Sequence, residues 1–394
     1  MTRPWRRAAP LALAALGLAA LAAGCGSTPG RTPAGQRPAL TQLSAATSLA
    51  APDGTWAAIP MGTTGPNLFW QLFLLPAADG SWSLRTPPDI ATNGAVILAW
   101  QGGSGPDSGT LVTGIRPSLY LSFSPVTTTG NGGRSWTTLP PAAGLADVPD
   151  ALAAGPGGQL AALSQDHSVS TASTAPGSTG WVTLTSQRAL AATPAGRGCA
   201  LAALTAVAYT PAGIPLLGAT CDRAGTAGIF SYTDGTWRPT GPALPAELAG
   251  QHIQVLRLTR TGSTDTALLE AGSGSSATLL SAWASDGARH WTLSPALRLG
   301  GTQPVSASFG GSGATAVVLS GGHGQILAGP TASWQPLPAL PAGRAVALAL
   351  PGGGATDALA ADGSTLTVWK LTASPARWIR AQVIKVPIQY GSSS

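Results

Sequence analysis

Thr129-Gly-Asn-Gly-Gly-Arg-Ser-Trp136-Thr-Thr-Leu-Pro140 is the stretch from which the architecture can be read. Asn131 and the two glycines after it tolerate positive φ, so they favour a tight turn rather than a helix or an extended run. Trp136 follows the turn and opens a short strand that ends at the Leu-Pro pair. The same arrangement returns along the chain, as Asp79-Gly-Ser-Trp82, Ser178-Thr-Gly-Trp181, Asp234-Gly-Thr-Trp237, Asp286-Gly-Ala-Arg-His-Trp291, Ala332-Ser-Trp334 and Ala376-Arg-Trp378. From Trp82 the tryptophans step by 54, 45, 56, 54, 43 and 44 residues. Between them lie short apolar runs such as 95–100, 118–123, 253–258 and 314–319, broken by glycine and proline. No 12-residue amphipathic helical pattern occurs in the body of the chain, which therefore reads as all-β.

A period of 40 to 55 residues built from short strands and turns is the mark of a β-propeller. Seven sites from Trp82 to Trp378 predict seven four-stranded blades; six or eight also fit the period. The regularly placed tryptophans read as packing between blades. Trp56, in Asp53-Gly-Thr-Trp56, precedes Trp82 by too little chain for a blade of its own. The strand-like run Ala381–Tyr390 lies beyond the last site and is expected to complete the first blade, leaving no long open edge. Two turns resemble the Asp-box of sialidase-type propellers, Ser/Thr-x-Asp-x-Gly-x-Thr-Trp. Thr129–Trp136 carries Asn131 at the aspartate, and Trp283–Trp291 keeps Asp286 and Trp291 but has Ala288 at the glycine. The resemblance implies a fold, because such boxes hold blade turns.

The sialidase reaction needs an arginine cluster, a tyrosine nucleophile with an acidic partner, and an acid/base aspartate. The body offers two glutamates, Glu247 and Glu270, and four tyrosines, Tyr120, Tyr209, Tyr232 and Tyr390, and the surroundings of Arg116 supply no triad. A glycosidase is accordingly the alternative reading, and no catalytic residue is assigned. His167, His252, His290 and His323 are scattered without the spacing of metal ligands. No metal or cofactor site is expected.

The first residues specify an address. Arg3, Arg6 and Arg7 precede an apolar run from Ala8 to Gly24, too short to span a bilayer, and small residues follow. Leu21-Ala-Ala-Gly-Cys25 resembles the lipobox of bacterial lipoproteins, which implies cleavage before Cys25 and its lipidation. Residues 1–24 are then a signal peptide, 25–50 the lipidated cysteine and a flexible Ser/Thr/Pro/Gly tether, and 51–394 the propeller. Lipid on Cys25 would hold the protein on the outer face of a membrane. In that oxidising compartment Cys199 and Cys221, flanking two strand-like runs around Thr210-Pro-Ala-Gly213, are expected to form a disulfide.

The net charge of +6 falls to +1 for residues 51–394, with no cationic run, so nucleic acid is not an expected partner. Trp70, Trp100 and Trp369 fall out of register with the repeat and are candidates for stacking on a ligand. The sequence thus predicts a non-catalytic surface lipoprotein whose propeller binds an envelope protein or a cell-wall glycan.

Overall fold

The computed structural model describes residues 40–43, 47–63, 68–78, 80–88, 92, 95–102, 109–116, 124–139, 145, 149–174, 180–311, 313–352 and 354–387. The signal segment, Cys25, the run 118–123 and Tyr390 lie outside them. Residues from Leu40 onward belong to one compact unit. Among the described residues its strands pair, in chain order, as seven antiparallel four-strand units, here blades 1 to 7: residues 47–84, 95–138, 151–186, 201–239, 253–293, 304–336 and 345–385. Blade 5 gains a short extra strand, Leu297–Arg298. Among the described residues, helix is confined to Gln187–Ala191, Pro194–Cys199 and three short 3-10 turns. The fold is a β-propeller.

Each blade is buried on both faces, so its middle strands read as continuous apolar runs rather than alternating ones. Leu68–Pro76 of blade 1 and Thr315–Leu319 of blade 6 are examples. The core is accordingly a set of layers between blades. Buried clusters join blades 1 and 2 (Leu72, Ile115), 2 and 3 (Val112, Leu160), 3 and 4 (Leu163, Leu217), 4 and 5 (Leu216, Leu269), 5 and 6 (Leu279, Val317) and 6 and 7 (Val318, Leu348). A further cluster joins blade 7 to blade 1 through Leu359, Val368, Ile59 and Phe73, closing the ring.

The periodic tryptophans stitch these layers. Trp136, Trp291, Trp334 and Trp378 stand at the outermost strands of their blades, and their indole N–H groups reach back to the preceding blade. Trp136 donates to Arg85 O at 3.1 Å, Trp291 to Thr240 O at 2.6 Å, Trp334 to Pro295 O at 3.0 Å and Trp378 to Pro338 O at 3.2 Å. Those acceptors lie 39 to 51 residues earlier, which is why the indoles recur at the blade period. The turns before them are held by side chains. Asn131 Oδ1 accepts from Ser135 N at 3.0 Å; Asp286 Oδ1 accepts from Arg289 N and His290 N at 3.0 and 3.1 Å. Asp234 and Gly235 both adopt positive φ (54° and 73°) in the two-residue hairpin before Trp237.

Two expectations need correction. The final strand, Ala376–Lys385, pairs with Thr365–Ala373 as the outermost strand of its own blade and does not complete blade 1, whose four strands all come from residues 47–84. Closure is made by side chains instead. Gln382 Oε1 accepts from Trp82 N at 2.9 Å while its Nε2 donates to Trp82 O at 2.8 Å, and Trp82 Nε1 donates to the buried Asp357 carboxylate at 2.9 Å. The ring also begins earlier than residue 51. Thr47–Ala51 is the first strand of blade 1, and Leu40–Leu43 is already fixed: Gln254 accepts from Thr41 N at 3.0 Å and donates to Thr41 O at 2.7 Å. A five-residue strand with a single large apolar side chain, Leu49, carries little local signal and is ordered by its neighbours. Trp56 lies on the second strand of blade 1, its indole held by Asp53, which explains its place outside the series.

Cys199 and Cys221 are disulfide-bonded. The hairpin Leu201–Tyr209 and Pro215–Cys221 sets Leu201 opposite Cys221, and Pro194–Cys199 folds back over its open end.

Candidate functional site

The first strands of the blades run through the middle of the ring and surround a cavity of about 70 Å³. Its wall holds Ser48 of blade 1, Trp100 of blade 2, Thr205 and Tyr209 of blade 4, and Arg257 and Arg260 of blade 5. The cavity is narrow because first strands touch across it. Leu49 pairs in parallel with Phe309, Thr47 Oγ1 donates to Ala307 O at 2.6 Å, and Ser48 Oγ donates to Leu348 O at 3.0 Å. Ligand pockets usually enclose about 300–1,000 Å³, so this one holds a few waters and no sugar ring.

At the mouth where first strands turn into second strands, Arg260 forms a plug. It stands near the end of Ile253–Thr261, just before the hairpin turn at Gly262. Its Nε donates to Gly262 O at 3.0 Å and its Nη1 to Thr210 O on blade 4 at 3.4 Å. A Cβ added to Gly102 of blade 2 would lie 2.2 Å from Arg260 Nη2, so the guanidinium rests against that glycine backbone. Asp265 is the cross-strand partner of Arg260. It is 1% exposed, and neither carboxylate oxygen has a hydrogen-bond partner among the described residues. Burial pushes its pKa up to about 7; the Arg260 charge pulls it down and Asp286 pushes it up. Arg257 is half-buried in the wall, and desolvation holds its guanidinium below the usual value.

The opposite mouth carries Gln254 with its clamp on Thr41, and beside it Glu270. Burial raises the Glu270 pKa, and the Thr41 hydroxyl lowers it. Glu247 is far from this centre in kind: it lines a rim groove of about 400 Å³ with Pro245, Leu293 and Pro295. Tyr209 is no nucleophile as it stands, since burial pushes its phenol up to about 12 and its hydroxyl donates to Leu160 O at 3.1 Å. Glu270, Glu247 and Tyr209 thus stand in three different places. Among the described residues no three His, Cys, Asp or Glu side chains converge on one point, and no helix is long and apolar enough to cross a membrane.

The three off-register tryptophans fall in different places. Trp70 is 7% exposed between blades 1 and 2. Trp369 packs at the interface of blades 6 and 7. In both, the indole N–H is buried without a partner among the described residues. Of the three, Trp100 alone reaches the cavity, and it lies close over Gly109 of its own blade. The sequence reading missed Arg260, Asp265 and Gly102. The signal was an Arg/Asp pair flanking the turn in Arg260-Thr-Gly-Ser-Thr-Asp265, between otherwise apolar strands.

No protein-family profile and no curated protein matches the chain. Solved structures do. The chain is similar to a putative 6-phosphogluconolactonase from Bacteroides uniformis, at 14% identity and a TM-score of 0.50, over 84% of this chain and 97% of that one. It is similar to YCF48 from Cyanidioschyzon merolae, at 11% identity and a TM-score of 0.44, over 84% and 94%. It is also similar to the six-bladed lectin of Aleuria aurantia, at 12% identity and a TM-score of 0.39, over 90% and 100%. Likeness at this level concerns the fold alone.

Proposed function

We propose that this protein is a lipid-anchored, extracytoplasmic propeller that binds an envelope protein and catalyses no reaction. The observation that carries the reading is the distribution of accessible surface. The central cavity admits only a few waters, and among the described residues no carboxylate lines it. Of six exposed large apolar side chains among the described residues, four (Leu84, Val182, Ile379 and Val383) stand on outermost strands. Apolar contact area on the rim suits a macromolecule, whereas a glycan reader needs an open aromatic face. A cell-wall glycan in the rim groove beside Glu247 is the second reading, favoured by its larger volume.

Lipid on Cys25 would hold the ring near the membrane. Fourteen residues separate Cys25 from Leu40, a reach of about 50 Å when fully extended. Leu40–Leu43 is clamped at the mouth where Gln254 begins its strand. Mass spectrometry of the mature protein tests the anchor: the expected product begins at a diacylated Cys25, and an unmodified N-terminus in the aqueous fraction sinks it. Crosslinking in cells tests the partner, and binding of a wall glycan with no captured protein would favour the second reading.

A further inference from the structure

We propose that the open edge of Ala376–Lys385 in blade 7 takes up an extended acidic segment of the partner protein as a fifth strand; this rests on the reading of the protein as a binding propeller.

Outermost strands elsewhere in the ring are short: Ser83–Leu84, Thr137–Thr138, Thr292–Leu293 and Gln335–Pro336 have two residues each, Thr236–Pro239 four and Val182–Ser186 five. Short edges offer too few free backbone groups to template another strand. Ala376–Lys385 has ten residues. Among the described residues nothing pairs with its outer side.

The side chains say which strand the edge would accept. Ile379 and Val383 are 42% and 48% exposed, which is apolar area of the kind a paired strand covers. Arg377, Arg380 and Lys385 are exposed, and none is in an ion pair among the described residues. The surrounding charge has the same sign. Residues 344–387 carry four cations besides Lys385, including the chain's other lysine, Lys370, against two carboxylates, of which Asp357 is committed to Trp82. Like charges set opposite each other oppose pairing of this edge with its own copy, and opposite charges favour an acidic strand.

The backbone supplies the rest. Val386 N donates inward to Ser364 O at 2.8 Å. Alternation along an antiparallel strand then turns the amides of Lys385 and Val383 outward. Donors, apolar side chains and cations thus share one edge, the combination that strand addition uses.

The test uses the full-length protein in detergent and a fluorescent ten-residue peptide alternating glutamate with valine, with a lysine-for-glutamate peptide as comparison. Binding is followed by anisotropy, and amide exchange locates it. Expected are preferential binding of the acidic peptide and slowed exchange at Val383 and Lys385. The double variant Arg380→Glu/Lys385→Glu should lose affinity at least about tenfold. Val383→Pro, which removes one outward donor at an edge position that tolerates proline, should lose affinity as well. Arg188→Glu, on the helix after blade 3, should bind as the parent does. The proposal is overturned if the acidic peptide does not bind, if both peptides bind equally, if protection falls elsewhere on the ring, or if the free protein dimerises through this edge. Partner crosslinks from another face would overturn it while leaving the binding reading intact.

Discussion

Replacing Asp265 with asparagine should stabilise the ring at pH 8 and change it little at pH 4. The carboxylate is 1% exposed, accepts no hydrogen bond among the described residues, and has a pKa pushed up from 3.8 to about 7. Arg260 across the strand pair and Asp286 are the charged groups acting on it. A carboxyl whose folded pKa lies above its unfolded one binds its proton more tightly when folded. Its contribution is complete below pH 3.8 and is lost as pH rises from there through about 7. A tenfold difference in proton affinity between the folded and unfolded chain is worth about 1.36 kcal/mol. The ionised side chain therefore costs roughly 4 kcal/mol at pH 8 and about 0.5 kcal/mol at pH 4. Asparagine keeps the size and removes the charge. With an unfolding entropy of about 2.1 cal/mol/K per residue over roughly 340 residues, the gain at pH 8 is at most ~6 °C in Tm. At pH 4 it is below ~1 °C by the same scaling. Differential scanning calorimetry of both proteins across pH 4–8 measures this. An equal difference at the two ends, or a destabilised variant at pH 8, would refute the picture of a buried and unpaired carboxylate.

The same geometry gives other expectations. Gln382→Ala removes both hydrogen bonds to the Trp82 backbone and should cost about 1–3 kcal/mol in denaturant unfolding, with exchange rising first between blades 7 and 1. Trp82→Phe strips the Asp357 carboxylate of its indole donor and should cost about 1–3 kcal/mol more than the lost packing, a surplus that the Trp82→Phe/Asp357→Asn pair abolishes in a double-mutant cycle. Reducing Cys199–Cys221 reopens a 22-residue loop and should cost about 3 kcal/mol, read as a lower urea midpoint in the presence of reductant than in its absence. Gly102→Ala places a Cβ 2.2 Å from the Arg260 guanidinium and should displace it, visible as an altered Asp265 titration by carbon-detected NMR.

How far the sequence was legible follows from what each residue touches. The tryptophans at 136, 291, 334 and 378 announced the repeat because each must find a carbonyl one blade back, and that fixes their spacing. The disulfide was legible because Cys199 and Cys221 flank a single hairpin. Closure was not. Trp82 meets Asp357 and Gln382 across 275 and 300 residues, and none of the three shows in a local pattern that it is one of a set. Thr47–Ala51 escaped for a related reason, since its pairing with Gly54–Gly62 rather than its own composition makes it a strand. The mouth of the channel depends on Arg260 lying against Gly102, on two blades that only the closed ring brings together.

The claim that this propeller serves to bind a protein is tested most directly by crosslinking in living cells. A photoreactive residue at Val383 of the full-length chain, with Cys25→Ala as the unanchored comparison, would be followed by mass spectrometry of the captured species. The account predicts one or two envelope proteins captured reproducibly, through acidic extended segments, and only from the anchored form. Equal capture of unrelated proteins by both forms, or no capture alongside measurable glycan hydrolysis by the purified protein, would contradict it.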